Sequence, residues 1–146
     1  MISIRELLGG KPAELFVVAS TALVSEALQM LATRKIGALL VVDGGKLVGI
    51  LSERDCALKV ALPGKRADET RVSEIMTSDV ITVEPKQPLE DCMTQMHAHD
   101  IRHLPVVEAG RPVGMVSIGD VSREMFSLQK KLIGQLEAYI HGRSST

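Results

Sequence analysis

The sequence predicts an α+β fold of two pseudo-symmetric β-α-β-β-α repeats, packed sheet against sheet in one module. Three observations lead there. Residues 35–58, KIGALLVVDGGKLVGILSERDCAL, lie without a gap over residues 100–123, DIRHLPVVEAGRPVGMVSIGDVSR, at a constant offset of 65, and nine of 24 positions are identical. A fixed period of this kind marks two copies of one supersecondary unit. Each copy alternates a helical apolar spacing with short β-rich runs bounded by turn residues. Finally, a unit of about 60 residues buries apolar surface poorly on its own, whereas 146 residues with 45% hydrophobic content can bury one sizeable core. The predicted units are 1–70 and 71–146, together one module.

Along the chain, IRELL at 4–8 is a short lead-in, and FVV at 16–18 is the first β-rich run. Val24, Ala27, Leu28 and Leu31 follow at i, i+3, i+4 and i+7, one buried face of an amphipathic helix. LLVV-DGGK-LVGIL is a β-hairpin with Gly44 and Gly45 in the turn, and it runs into a helix over 53 to about 61. The connection 63–79, PGKRADETRVSEIMTSD, starts as a polar surface loop and then turns apolar at Val72, Ile75 and Met76. The EIMT it contains, at 74–77, leads the second repeat as IRELL leads the first, three residues out of the common register. VITV at 80–83 repeats the first run, and Pro85 and Pro88 suit a loop and helix start. Leu89, Cys92, Met93 and Met96 repeat the helical face, and LPVV-EAGR-PVGMV repeats the hairpin.

The last helix, about 119 to 140, is longer than the repeat needs. Its apolar positions Val121, Met125, Phe126, Leu128, Leu132, Leu136 and Ile140 cover more than one face. That surplus predicts a second surface to bury, with another copy of the chain as the plainest partner, hence a homodimer.

Composition excludes several classes. Seventeen basic residues against eighteen acidic ones leave a formal charge of −1, which offers no electrostatic grip on nucleic acid. With no Trp, one Tyr and two Phe, material for base stacking or a membrane-interface belt is short. No apolar run approaches the roughly 20 residues that span a bilayer, and MISIRELLGG lacks the apolar core of a signal peptide, so no membrane partner and a cytoplasmic location are expected. Cys56 and Cys92 form no CxxC or CxxH pattern and suit reduced, buried thiols.

No GxSxG, HExxH, P-loop or GxGxxG is present, so no enzyme is predicted. The repeated chemistry is Ser-x-x-Asp at each strand-to-helix junction: Ser52 to Asp55 and Ser117 to Asp120. One account is a capping box that satisfies free N–H groups at the helix start. The other is a grip on a ribose diol and phosphate, because a hydroxyl, a carboxylate and exposed N–H groups serve both roles. Three of four histidines fall at 97, 99 and 103, but His97 and His99 project about 200° apart on a helix and cannot converge on one ion. No metal site is expected.

The strand RHLPVV, the turn and strand GxxVGMVSxxDV, and EIMT resemble the motifs of a CBS-domain pair, also called a Bateman module, over essentially the whole chain. GILSERDCALKV followed by PGKRADETRVSEIMT is similar to small stand-alone bacterial and plant members. The resemblance implies regulatory binding of AMP, ADP, ATP, NAD(H) or S-adenosylmethionine in clefts between the repeats. By that pattern Asp120 with Ser117, and Asp55 with Ser52, hold ribose hydroxyls. Adenine sits on Val18, Val83, Ile36 and Ile101, with Gly37, Ala38, Thr82 and Pro105 beside them. Arg102 and His103 face ligand phosphates, as does Arg54. Two departures bear on this. Gly37 and Ala38 replace the Arg102–His103 pair, so the first copy's cleft is expected to draw charge from Arg54, Lys35 or the Lys65–Arg66 loop. Gly119 lacks a hydroxyl that some members carry beside the aspartate. The resulting expectation is an adenosine-ligand sensor that modulates an unknown regulated protein. Its rival is a structural dimerisation module whose clefts stay empty.

Overall fold

The computed structural model describes residues 2–11 and 14–144; the outer ends of the two predicted units, Met1 and Thr146, lie outside the described residues. The elements run α1 Ile4–Gly9, β1 Val17–Val18, α2 Val24–Arg34, β2 Ala38–Asp43, β3 Lys46–Ser52, α3 Glu53–Cys56 continued by a π-helical turn Ala57–Ala61, α4 Val72–Ile75, α5 Leu89–His99, β4 His103–Glu108, β5 Arg111–Ser117 and α6 Ile118–Ser144. This is the predicted α+β arrangement of two β-α-β-β-α repeats, each with its own small sheet. β3 and β5 run against each other where the two sheets meet.

The offset of 65 survives into hydrogen bonding. β1 pairs parallel with β2, Val18 opposite Val41, and Val83 pairs parallel with Val106 in the second repeat. Both hairpins slip register at matching places, Val41/Val42 and Val106/Val107. Both central helices end in a left-handed residue, Lys35 at φ 54° and Asp100 at φ 51°. The expected strand at 80–83 shrinks to the single bridge at Val83. The cause is Pro105. In the first repeat the Leu40 N–H donates to the Phe16 carbonyl at 3.1 Å. Its counterpart, Pro105, has no N–H to give.

Each helix buries the face its spacing predicted: Val24, Ala27 and Leu31 in α2, and Leu89, Cys92 and Met96 in α5. The fourth position of each stripe, Leu28 or Met93, lies at the exposed margin.

The lead-ins are exchanged. Ile4 is fully buried in the second repeat's core with Leu89, Leu104 and Val116, whereas Val72 and Ile75 are buried in the first repeat's core with Val24 and Leu39. Backbone bonds fix the crossing: the Ile4 N–H donates to the Gln87 carbonyl, and the Val72 N–H to the Ala22 carbonyl. Glycines admit the exchanged segments. A Cβ on Gly114 would stand 2.7 Å from Leu8 of α1, and one on Gly49 would stand 2.6 Å from the Met76 sulfur after α4. Each repeat is thus tied to the other by a borrowed turn of helix.

α6 packs on α5 through its first turns, burying Val121 and half-burying Met125. Beyond them Phe126, Leu132, Ile133, Leu136, Tyr139 and Ile140 are exposed.

Candidate functional site

The hairpins deliver both Ser-x-x-Asp motifs to helix starts, and both form caps. Ser52 Oγ accepts from the Asp55 N–H at 3.1 Å while the carboxylate accepts from the Ser52 N–H at 2.9 Å. The Ser117–Asp120 cap repeats these bonds at 3.1 and 2.8 Å. The cap account therefore holds in both copies. It does not exhaust the motif, because each aspartate also lines a cavity between the repeats.

The first cavity, about 500 Å³, sets Ser52, Arg54 and Asp55 against Ile101, Arg102 and His103 from the other repeat. The second, about 630 Å³, sets Ser117 and Asp120 against Lys35, Ile36, Gly37 and Ala38. Both volumes suit a nucleotide-sized ligand. The crossing corrects one expectation. Arg102 supplements the Asp55 cleft, not the cleft of its own aspartate, His103 stands between the two and lines both, and Lys35 serves Asp120. Strand geometry explains it, since β2 and β4 begin at the seam between sheets and face the opposite repeat's helix start. Within each repeat a backbone bond holds the strand entrance beside its own helix start: Glu53 N–H donates to the Gly37 carbonyl, and Ile118 N–H to the Arg102 carbonyl.

Other expected residues lie elsewhere. Val18 and Val83 are 7% and 2% exposed, inside the two cores, and line neither cavity. Phe16 and Ile81, two residues earlier at the same offset, stand in the walls instead. Pro105 is buried and Thr82 exposed, and neither reaches a cavity wall. The Lys65–Arg66 loop also lines neither; Arg66 is engaged by Asp68 and Glu69. Gly119 leaves room beside Arg123, whose guanidinium would lie 3.4 Å from an added Cβ.

Lys11 and Arg123 were not indicated by any motif, yet they hold the second aspartate. Lys11 Nζ donates to Asp120 Oδ2 at 2.6 Å and to the Met115 carbonyl at 2.7 Å. Arg123 donates to Oδ1 at 2.6 Å. Asp120 is only 6% exposed, and burial pushes its carboxyl up. Hydrogen bonds from Lys11 and from the Ser117 backbone and hydroxyl, together with the Lys11 charge, outweigh burial and hold the group below the usual carboxylate range. Asp55 is held more loosely, by Lys59 of its own helical segment at 3.0 Å. Lys59 reaches it from the π-helical turn and also donates to the Ile75 carbonyl, so it braces the borrowed α4.

His103 lies across Gly37, where an added Cβ would stand 3.2 Å from the ring, and it lines both cavities. Burial is the main influence on its pKa and lowers it, favouring neutral imidazole. His97 lines neither cavity. Among the described residues no group of three or more His, Cys, Asp or Glu side chains is placed to hold a metal ion. Among them, too, no helix is long and apolar enough to cross a membrane.

Relatives carry the same architecture. A signal-transduction protein with CBS domains from Burkholderia ambifaria MC40-6, described as putative in its own designation, superposes with a TM-score of 0.83 at 40% identity, covering 86% of this chain and 95% of that one. The CBS domain pair of protein MJ0100, solved in complex with 5′-methylthioadenosine and S-adenosyl-L-methionine, superposes at 0.77 with 32% identity, covering 87% and 98%. The mitochondrial CBS domain-containing protein CBSX3 of Arabidopsis thaliana is 37% identical over 124 residues, 82% of this chain; the match spans 60% of that protein's length. The family profile for the CBS domain matches twice, at residues 12–61 and 72–127, one match for each copy of the repeat from which the two crossed cavities are built. The chain therefore belongs to the CBS-domain family and carries its domains as a tandem pair.

Proposed function

We propose that this CBS pair is a regulatory module that binds adenosine-containing ligands in its two clefts and modulates a partner protein, with no catalytic step of its own. One observation carries the reading: each cleft presents a capped Ser-x-x-Asp helix start from one repeat against the apolar strand entrance of the other, Ile101 opposite Asp55 and Ile36 opposite Asp120. A ligand seated there touches both repeats, so it favours one relative arrangement of them. The resulting coupling is bounded by the ligand's differential affinity for the two arrangements.

In this reading Asp55 and Asp120 accept from ribose hydroxyls, Ser52 and Ser117 stand beside them, and Ile101 and Ile36 flank adenine. Arg54 and Arg102 supply cations in the Asp55 cleft. The ligands bound to the MJ0100 pair support an adenosine class; AMP, ATP and NAD(H) are the first candidates, with S-adenosylmethionine beside them. The exposed apolar face of α6 is where a homodimer forms, and two free, buried thiols suit a cytoplasmic setting. A purely structural dimerisation module draws support from the completeness of both caps.

Calorimetric titration of ligand-free protein with AMP, ATP, NADH and S-adenosylmethionine tests the proposal. Binding of at least one, abolished by Asp55→Ala or Asp120→Ala, is the expected result. No binding by any of the four sinks the sensor and favours the structural module.

A further inference from the structure

The two clefts share their aspartates and isoleucines, but their rims carry opposite charge. Around Asp55 stand the carboxylates of Glu53, Asp79 and Asp100, facing two cations, Arg54 and Arg102. Around Asp120 stand the cations Lys11, Lys35 and Arg123, facing one further carboxylate, Glu14. The contrast falls at matched places. Lys35 and Asp100 are the left-handed residues that end α2 and α5, separated by the repeat offset, and they point charge of opposite sign at their clefts. The segments leaving the exchanged lead-ins do the same, bringing Lys11 to one cleft and Asp79 to the other. His103 lines both and, held toward its neutral form by burial, does not offset the difference.

Lys11 adds a chemical selection. With Arg123 on Oδ1 and Lys11 on Oδ2, both oxygens of Asp120 are engaged. A ribose diol that took Oδ2 would leave the Lys11 ammonium, which lines this cleft, with the Met115 carbonyl alone. A ligand phosphate there gives the ammonium a new anionic partner, while an uncharged nucleoside gives it none. At Asp55 the corresponding cation is Lys59, which lies outside the cleft wall and keeps its bond to the Ile75 carbonyl. Among the described residues no ammonium lines that cleft, and its acidic rim repels phosphate.

We propose that the clefts sort adenosine ligands by charge: the Asp120 cleft takes phosphate-bearing ligands through Lys11 and Lys35, and the Asp55 cleft takes uncharged or cationic ones. This rests on the reading that both clefts bind adenosine compounds. The probes are AMP and uncharged 5′-methylthioadenosine, titrated by calorimetry into Asp55→Ala, which isolates the Asp120 cleft, and Asp120→Ala, which isolates the other. Methyl NMR signals of Ile36 and Ile101 in the unmutated chain assign the occupied cleft independently, should either variant fold poorly.

The Asp120 cleft is expected to favour AMP by about tenfold or more, a preference that shrinks to about threefold or less in Lys11→Met and falls with added salt. The Asp55 cleft is expected to favour 5′-methylthioadenosine, and Asp100→Lys should move it toward AMP. A lysine already holds that backbone conformation at Lys35. The same preference in both clefts, or preferences indifferent to Lys11→Met and Asp100→Lys, overturns the sorting while leaving adenosine binding intact. Binding of neither probe to either cleft overturns both together.

Discussion

The two cores of this molecule are built from matching positions, whereas the two cavities between them are matched in their floors and opposed in their rims. Val24, Ala27 and Leu31 of one core answer to Leu89, Cys92 and Met96 of the other. At the rims Lys35 answers to Asp100. The difference follows from burial. A core position must fill a fixed volume without a charge, so two copies of a repeat keep it alike. A rim position is solvated and can change sign at little cost to the fold. Charge at the rim is thus the freest variable through which two copies of one frame acquire different ligands.

The largest expected effect concerns the cores. Ile4 and Val72 are both fully buried, each in the repeat that its place in the chain would not assign it. Ile4→Ala is expected to cost about 2–5 kcal/mol and Val72→Ala toward the lower end of that range, by chemical denaturation. Amide exchange then locates the damage. Ile4→Ala should accelerate exchange in α5 and Val72→Ala in α2. The opposite pattern would break the exchange of lead-ins and, with it, the equivalence of the cores.

The aspartates come next, and here the halves should differ. Asp55→Ala loses a cap worth about 1 kcal/mol and the half-exposed pair with Lys59, which adds about 0.5 kcal/mol or less. Asp120→Ala loses the same cap together with the bonds from Lys11 and Arg123, for a total of about 2–3 kcal/mol. Because the folded Asp120 carboxyl titrates below its ordinary 3.8, its contribution is complete above that pH. It is lost as pH falls through the folded value. The stability gap between the parent chain and Asp120→Ala should therefore narrow in acid below pH 3.8. Equal costs for the two aspartates would remove the asymmetry at Lys11.

Much of the frame was legible in the sequence because burial leaves a periodic trace. The offset of 65, the i, i+3, i+4, i+7 stripes and the glycine turns all report which side chains go inside. They do not report against what. The apolar pattern of IRELL is satisfied equally by either core, so its exchange left only a register slip of three residues as a hint. The crossing of the clefts was hidden for the same reason. Arg102 and His103 are recognisable as a basic pair, but that Arg102 faces only the Asp55 cleft while His103 lines both depends on how two sheets meet. Val18 and Val83 are platforms only by the family resemblance; Phe16 and Ile81 are apolar and repeated as they are, and nothing in the sequence pattern ranks a wall above a core position. Lys11 lies outside the stretch that aligns with the second copy, and its partner Asp120 lies 109 residues away.

The smallest expected effect lies in the hairpin turns, where the repeats differ by one methyl group. Gly44 and Gly45 close the first hairpin at φ 57° and 80°; Ala109 and Gly110 close the second at 53° and 78°. Both are two-residue turns that need two left-handed residues, and only the second asks a side chain to adopt that conformation. The strain on Ala109 is about 1–2 kcal/mol. Glycine would relieve it but would also gain freedom in the unfolded chain, worth about 0.4–1 kcal/mol against folding. Ala109→Gly is therefore expected to stabilise by roughly 0.5 kcal/mol, the surplus of the strain over the entropy. Gly44→Ala should destabilise by a similar amount, because a Cβ there meets nothing within 4 Å and only the backbone is at stake. Equal and opposite shifts in denaturation midpoint would show that the two turns are the same structure carrying different residues. A stabilising Gly44→Ala would mean that the first turn leaves the left-handed region in solution, and the hairpins would then cease to be copies of one another.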